Sequence, residues 1–135
     1  MFRFKAPGFT LLELLIALSI VAILASISVP SYNGFVAKSR RSDAMSALLQ
    51  IQLAQQRWRA ANAEYADALA ALRWPDDQSP DSYYRVRIAR SNAAEFLATA
   101  TPRGAQRSDD CGVFAINSQG PVDDPPYANA RCWNR

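Results

Sequence analysis

The chain has 135 residues, half of them hydrophobic, and a formal net charge of +3. This length leaves room for one domain beside a membrane segment, and so small a net charge does not indicate a dedicated nucleic-acid-binding protein. Histidine is missing from the sequence and only five glycines occur, which argues against nucleophile–base catalysis and against a glycine-rich phosphate loop. We therefore expect no enzyme activity and no cofactor.

An apolar stretch runs from Phe9 to Val29, and Glu13 is its only ionisable residue. As a helix it is about 31 Å long, which matches the hydrocarbon core of a bilayer. A secretory signal peptide has a shorter apolar core with its cleavage site behind it, whereas here Gly8 precedes the stretch. We predict a membrane-spanning helix over 9–30. The carboxylate of Glu13 needs a partner in lipid, unless it lies at the interface near the positive helix end.

A basic leader with Arg3 and Lys5 ends at Gly8, Phe9 follows, and Glu13 is the fifth residue after that glycine. This arrangement resembles the class III signal and N-terminal helix of type IVa pilins. The resemblance implies that a prepilin peptidase cleaves between Gly8 and Phe9 and methylates the new N-terminus of Phe9. It also implies that Glu13 acts in filament assembly.

The resemblance divides the chain into a leader (1–8), a transmembrane and filament-core helix (9–30) and a periplasmic or extracellular pilin domain (31–135). It implies a single-pass inner-membrane protein that later enters an extracellular filament. The implied partners are other pilin subunits, the prepilin peptidase and the inner-membrane pilus assembly platform. Counting basic residues on either side of the apolar stretch gives no clear orientation, so the topology depends on the resemblance.

The helical pattern resumes after Pro30, where we expect a kink with a second weak point at Gly34. From Ser42 onward apolar residues recur at steps of three and four, which predicts a helix with one apolar face. Trp58 is interpreted as a core anchor on that face, with ligand stacking as the alternative. The members of the face are Ala44, Ala47, Leu48, Ile51, Ala54, Trp58, Ala61 and Tyr65, whereas Arg41, Asp43, Ser46, Gln50, Arg57 and Arg59 fall outside it.

Short alternating segments follow a loop region that contains a possible helical turn over 67–72 and turn residues over 74–81. The segments 84–88, 96–101 and 113–117 are predicted strands, joined by a hairpin loop at 91–94 and followed by a turn at 118–120. Sequential strands with close turns indicate an antiparallel meander. We predict an α+β, pilin-like fold, in which a long N-terminal helix packs its second half on an antiparallel sheet of three or four strands.

Cys111 and Cys132 both lie in the domain that the resemblance places outside the cytoplasm, so we expect a disulfide between them. Two cysteines without histidine do not complete a zinc site. The acidic pairs lack the spacing of a calcium-binding EF-hand loop and are interpreted as solvated turns. These pairs are Asp76–Asp77, Asp109–Asp110 and Asp123–Asp124. We expect no metal site.

Arg85, Arg87 and Arg90 are expected to form a basic stripe on the outer sheet face, which would suit DNA phosphates unless neighbouring acids pair with them. The favoured function is a structural subunit, minor more than major, of a type IV pilus serving motility, adhesion or DNA uptake. One alternative is a type II secretion pseudopilin, although such pseudopilins more often stabilise the C-terminal region with calcium than with a cysteine pair. A second alternative is a DNA-binding competence pilin.

Overall fold

The computed structural model describes residues 8–134, so most of the leader, 1–7, lies outside the described residues. The chain divides into two compact units at Phe35/Val36. Helix α1 covers Leu11–Ala61. Strands β1 to β4 cover Tyr84–Ser91, Phe96–Pro102, Phe114–Asn117 and Gly120–Val122, and short 3-10 helices cover Leu69–Leu72 and Gly104–Ser108.

The four strands form one sheet in the order β1-β2-β3-β4, and every neighbouring pair is antiparallel. The predicted α+β fold and meander are confirmed, with four strands. The last turn is stabilised by Asn117, whose Oδ1 accepts the backbone N–H of Gln119 at 2.8 Å and of Gly120 at 3.1 Å. Gly120 adopts φ 134°, which residues with a Cβ rarely do. The turn then pairs β4 with β3.

The core of the second unit lies between the later turns of α1 and one face of the sheet. The helix contributes Ala44, Ala47, Leu48 and Ile51, all fully buried as predicted. Burial of each leucine or isoleucine side chain contributes about 1.5–3 kcal/mol. The sheet side consists of Tyr84, Val86, Phe96, Ala98, Ala100, Phe114 and Ile116. This core is built from residues of the second unit alone.

Toward its C-terminal end the predicted apolar face was wrong at Trp58 and at the exposed Ala61, whereas Tyr65 is partly buried against the core as predicted. Trp58 does not belong to the core cluster, whereas Gln55 is fully buried. The amide of Gln55 donates to the carbonyl of Ala66 at 2.8 Å and accepts the N–H of Ala66 at 2.9 Å. Both polar groups of the side chain are therefore satisfied, which removes most of the cost of burying them. The loop after α1 therefore meets the helix at Gln55.

Asp43 was placed outside the apolar face, yet only 4% of it is exposed. Its carboxylate accepts hydrogen bonds from the hydroxyl of Ser79 and from the backbone N–H groups of Asp81 and Tyr83. A buried carboxylate needs such donors because water no longer solvates it. Asp43 thus attaches the loop before β1 to the helix.

Tyr84 provides a test of the core at high pH. Burial raises its pKa to about 12, although the hydrogen bond that its oxygen accepts from Gln106 Nε2 at 3.0 Å acts in the opposite direction. An unfolded tyrosine titrates near pH 10. Between these pH values the unfolded chain loses a proton that the folded chain retains, so stability falls as pH rises.

We expect the isolated 36–135 unit to lose about 2 kcal/mol more stability between pH 9 and pH 12 than a Tyr84→Phe variant loses. Urea unfolding at a series of pH values measures this difference. The variant should be less stable near pH 7, because the Gln106 amide loses an acceptor, and the two stabilities should converge above pH 10. If the stability of the two proteins changed in parallel with pH, the raised pKa of Tyr84 would be contradicted.

Candidate functional site

The first candidate surface is the N-terminal part of α1. Every residue from Gly8 to Phe35 is exposed, including Leu11 at 78% and Ile20 at 53%. By length and composition this helix can cross a membrane. Surfaces this apolar are not left in water by a stable protein. The segment therefore requires lipid or other chains around it.

Three of the four serines in this apolar segment form hydrogen bonds within the helix. The hydroxyls of Ser19, Ser26 and Ser31 donate to backbone carbonyls three or four residues earlier, at 2.8, 2.7 and 3.4 Å. Such internal bonds suit a helix in lipid, where water is missing as a partner. Helix α1 continues through Pro30 and Gly34. The kink at these two residues stays a prediction.

Glu13 lies in the first turn of α1, and its side chain is exposed. Thr10 precedes the helix, and its Oγ1 accepts the N–H of Glu13 at 3.2 Å. A threonine cap with an acid three residues later is a helix-start pattern, and the acid is favoured by the positive helix end. No cation within residues 8–134 pairs with this carboxylate. Its assembly role stays a prediction.

The second candidate surface is the outer face of the sheet, where the pairing of β1 with β2 places the three predicted arginines. Arg85 lies opposite Thr101 and Arg87 opposite Thr99, on the face turned away from the core. An irregularity in the pairing between Ile88 and Arg90 then moves Arg90 opposite Leu97. Without this bulge, simple alternation would direct Arg90 toward the core face.

Two of these arginines have acidic neighbours, which compete with DNA phosphates for them. Arg85 Nε lies 2.8 Å from Asp77 Oδ2, and Arg90 Nη2 lies 3.3 Å from Glu95 Oε1. Both pairs are about half exposed, so each contributes little to stability and can open toward another anion. Arg87 forms no ion pair with any residue in the described part of the chain.

The C-terminal loop is closed by a disulfide between Cys111 and Cys132, with an S–S distance of 2.02 Å. Trp133 packs edge-on against Phe114, with ring centroids 5.2 Å apart. The N–H of Ala128 donates to the carbonyl of Val113 at 2.8 Å. In the chain-entropy model, closing a loop of this size stabilises a fold by about 3 kcal/mol. The loop is therefore held against the sheet.

An ion pair that sequence reasoning missed lies near the disulfide. Arg41 of α1 donates two hydrogen bonds from Nε to the carboxylate oxygens of Asp109, at 3.1 and 2.9 Å, and one from Nη2 at 2.6 Å. The Asp109 carboxylate raises the pKa of Arg41. The side chain of Asp109 is only 3% exposed. Its interpretation as part of a solvated acidic turn was therefore wrong.

Comparison with known proteins gives the family. The family profile described as "Type IV minor pilin ComP, DNA uptake sequence receptor" matches residues 30–115, and that of the prokaryotic N-terminal methylation motif matches residues 3–29. The type IV major pilin protein PilA of Myxococcus xanthus is 31% identical over 134 residues, which cover 96% of this chain and 60% of PilA. The type IV major fimbrial protein FimA of Dichelobacter nodosus is 45% identical over 47 residues, covering 35% of this chain and 30% of FimA.

The chain thus spans 60% of the length of PilA and 30% of that of FimA, in both cases less than two thirds. In fold it is similar to a solved type IV pilin from Shewanella oneidensis, with a TM-score of 0.53 and 24% identity, over 73% of this chain and 99% of that one. The first match covers more than half of the chain, and the second covers the leader junction and the apolar helix. The chain therefore belongs to the type IV pilins, which are structural subunits, and it carries the class III signal of that family.

Proposed function

We propose that this chain is a minor subunit of a type IV pilus, cleaved and methylated by a prepilin peptidase and inserted into the filament through α1 by an inner-membrane platform. One observation carries the proposal: every described residue before Val36 is exposed, and the exposed surface is largely apolar. Lipid covers this surface before assembly, and the helices of other pilin subunits cover it afterwards. The minor role is supported by the family profile over residues 30–115.

Mass spectrometry of sheared filaments from cells that produce the protein tests this proposal. We expect the chain to begin at Phe9 with a methylated amine, because the methylation motif covers this junction. We expect it to make up a small fraction of filament protein. Dominance in the filament would make it a major pilin, and a different N-terminus would remove the assembly proposal. Recovery only with secretion machinery would favour the pseudopilin alternative.

A second proposed function is DNA binding by the outer sheet face. The basis is the bulge in β1, which gathers Arg85, Arg87 and Arg90 on one face. The description of the matching family as a DNA uptake sequence receptor is consistent with it. Arginines on an exposed strand contact phosphates without reading bases, so this contact supplies affinity and no sequence preference. The proposed role is to hold duplex DNA at the pilus during uptake.

For this surface we expect Arg87→Gln to weaken duplex binding several-fold at low salt and to reduce the slope of log K against log salt by about 0.9. Fluorescence anisotropy with the isolated 36–135 unit and a labelled duplex measures both quantities. Arg107→Gln, which removes an exposed arginine from the 3-10 helix before Asp109, is the matched control. If Arg87→Gln and Arg107→Gln had equal slopes of log K against log salt, the net charge of the unit and not the outer sheet face would explain the binding.

A further inference from the structure

A groove of about 530 Å³ lies between the last turns of α1 and the 3-10 helix Leu69–Leu72. Trp58, Arg57 and Arg73 line it, together with small or apolar side chains and Asn62. Trp58 is half-buried and stands outside the core cluster. No acid lines the groove, and within the described range neither arginine forms an ion pair. An aromatic surface thus lies beside two cations that are free to take an anion.

Arg73 also belongs to a second groove. This one has a volume of about 430 Å³ and is lined by Trp74, Pro75 and Pro80 among others. The Nε1–H of Trp74 donates to the carbonyl of Gln78 at 2.9 Å, which holds the indole in place. Asp76 is the acid in this lining, and its Oδ1 accepts the N–H of Gln78. Two tryptophan-lined grooves therefore meet at one arginine.

The backbone at Arg73 is itself unusual. It caps the 3-10 helix with φ 59° and ψ 29°, a left-handed conformation in which glycine or asparagine costs less than arginine. The cap uses only backbone atoms: the N–H of Arg73 donates to the carbonyl of Ala70 at 3.0 Å, and the N–H of Trp74 donates to that of Leu69 at 3.1 Å. Neither bond requires the arginine side chain. The chain thus accepts a small backbone cost at the one position shared by both grooves.

We propose that the two grooves bind single-stranded DNA, with one base on Trp58, the next base on Trp74 and the intervening phosphate on Arg73. Along a single strand one phosphate separates successive bases, and Arg73 is the lining residue that the two tryptophan-containing grooves share. Aromatic platforms in a cationic groove are the general mode of single-strand recognition. The inference rests on the proposed DNA function but uses a surface other than the outer sheet face.

The hydrogen-bonding groups of the first groove favour DNA over an acidic sugar. A sugar needs several polar partners around its hydroxyls, whereas Asn62 is the only uncharged polar side chain in the lining, and its Nδ2 already donates to the carbonyl of Trp58 at 2.8 Å. A base needs only an aromatic face, and a phosphate needs only the arginines. Duplex DNA is disfavoured because its base faces are covered by stacking.

The test measures the affinity of the full chain in detergent for a labelled oligothymidylate and for an abasic strand of equal length. We expect the wild type to prefer the oligothymidylate about tenfold and Trp58→Ala to abolish this preference. Arg73→Gly should weaken binding of both strands. Glycine adopts the left-handed conformation of this position without steric cost, so the variant should stay folded. Arg107→Gln controls for lost charge, and Arg87→Gln should affect duplex DNA only. Thermal unfolding checks that each variant is folded.

Equal affinity of the wild type for both strands would overturn the stacking proposal, even if the duplex still binds through Arg87. Loss of duplex binding by the outer-face variant, with single-strand binding intact, would separate the two surfaces. If polygalacturonate bound instead of the oligothymidylate and Trp58→Ala abolished that binding, the groove would be assigned to acidic sugars and the proposal would be wrong. If Arg107→Gln weakened binding of the oligothymidylate as much as Arg73→Gly does, net charge would explain the binding and the role of Arg73 would be wrong.

Discussion

Replacing Glu13 by leucine should leave the protein processed and membrane-inserted but nearly excluded from filaments. A charged side chain at the centre of a membrane helix costs about 2.5–3.5 kcal/mol on insertion scales, which is an upper value for Glu13 in the first turn of α1. A neighbouring mature subunit would offer the positive amine of its Phe9, and unit charges about 4 Å apart at an effective dielectric of 20 attract by roughly 4 kcal/mol. Desolvation reduces the net gain. The pairing would also define the axial register of the incoming helix.

The structure is consistent with this expectation because Glu13 is exposed and has no cation beside it within residues 8–134. Membrane and sheared-filament fractions of the same cells, blotted for this subunit, give the comparison. Glu13→Asp should retain partial incorporation since it keeps the charge. Ser19→Leu is the matched control: it removes a hydroxyl whose hydrogen bond stays within the helix. Equal incorporation of Glu13→Leu and wild type would leave Glu13 as an interfacial acid.

Replacing Arg41 by methionine should lower the free energy of unfolding of the 36–135 unit by about 3–5 kcal/mol. The reason is the partner that remains: the carboxylate of Asp109 is 3% exposed and would lose three charge-assisted hydrogen bonds. The double variant Arg41→Met, Asp109→Leu should lose much less, because it leaves no buried charge unpaired. Urea unfolding near pH 7 measures all three proteins.

Arg85→Met is the control for this comparison. It breaks the pair with Asp77, in which the two side chains are 58% and 53% exposed, so we expect a loss below about 1 kcal/mol. If Arg41→Met and Arg85→Met lowered the free energy of unfolding by the same amount, burial would not explain the contribution of the Arg41–Asp109 pair to stability. A larger loss for the double variant than for Arg41→Met alone would likewise contradict the unpaired-charge explanation.

Several features followed from local sequence alone. The apolar stretch after Gly8 predicted a helix with every side chain in lipid or filament, because length and hydropathy are properties of the segment itself. Alternation in Tyr84–Ile88 and in Phe96–Thr101 predicted two strands, since the side-chain period of a strand is two. The fold class followed from the order of these elements, and the structure confirmed it.

Other features depended on tertiary structure. Periodicity predicts which apolar side chains are buried, but it does not predict which polar side chains are buried beside them. Asp43 and Asp109 are buried because donors from distant segments reach them, and Arg41 is 68 residues from Asp109 along the chain. Trp58 stands outside the core, whereas Gln55 is buried because Ala66 supplies both of its hydrogen-bond partners. Arg90 joins the outer face through a bulge, which no alternation pattern contains. The sequence by itself thus determined the apolar helix, the first three strands and the fold class. Tertiary pairing alone decided which charges are buried and which arginines share a face.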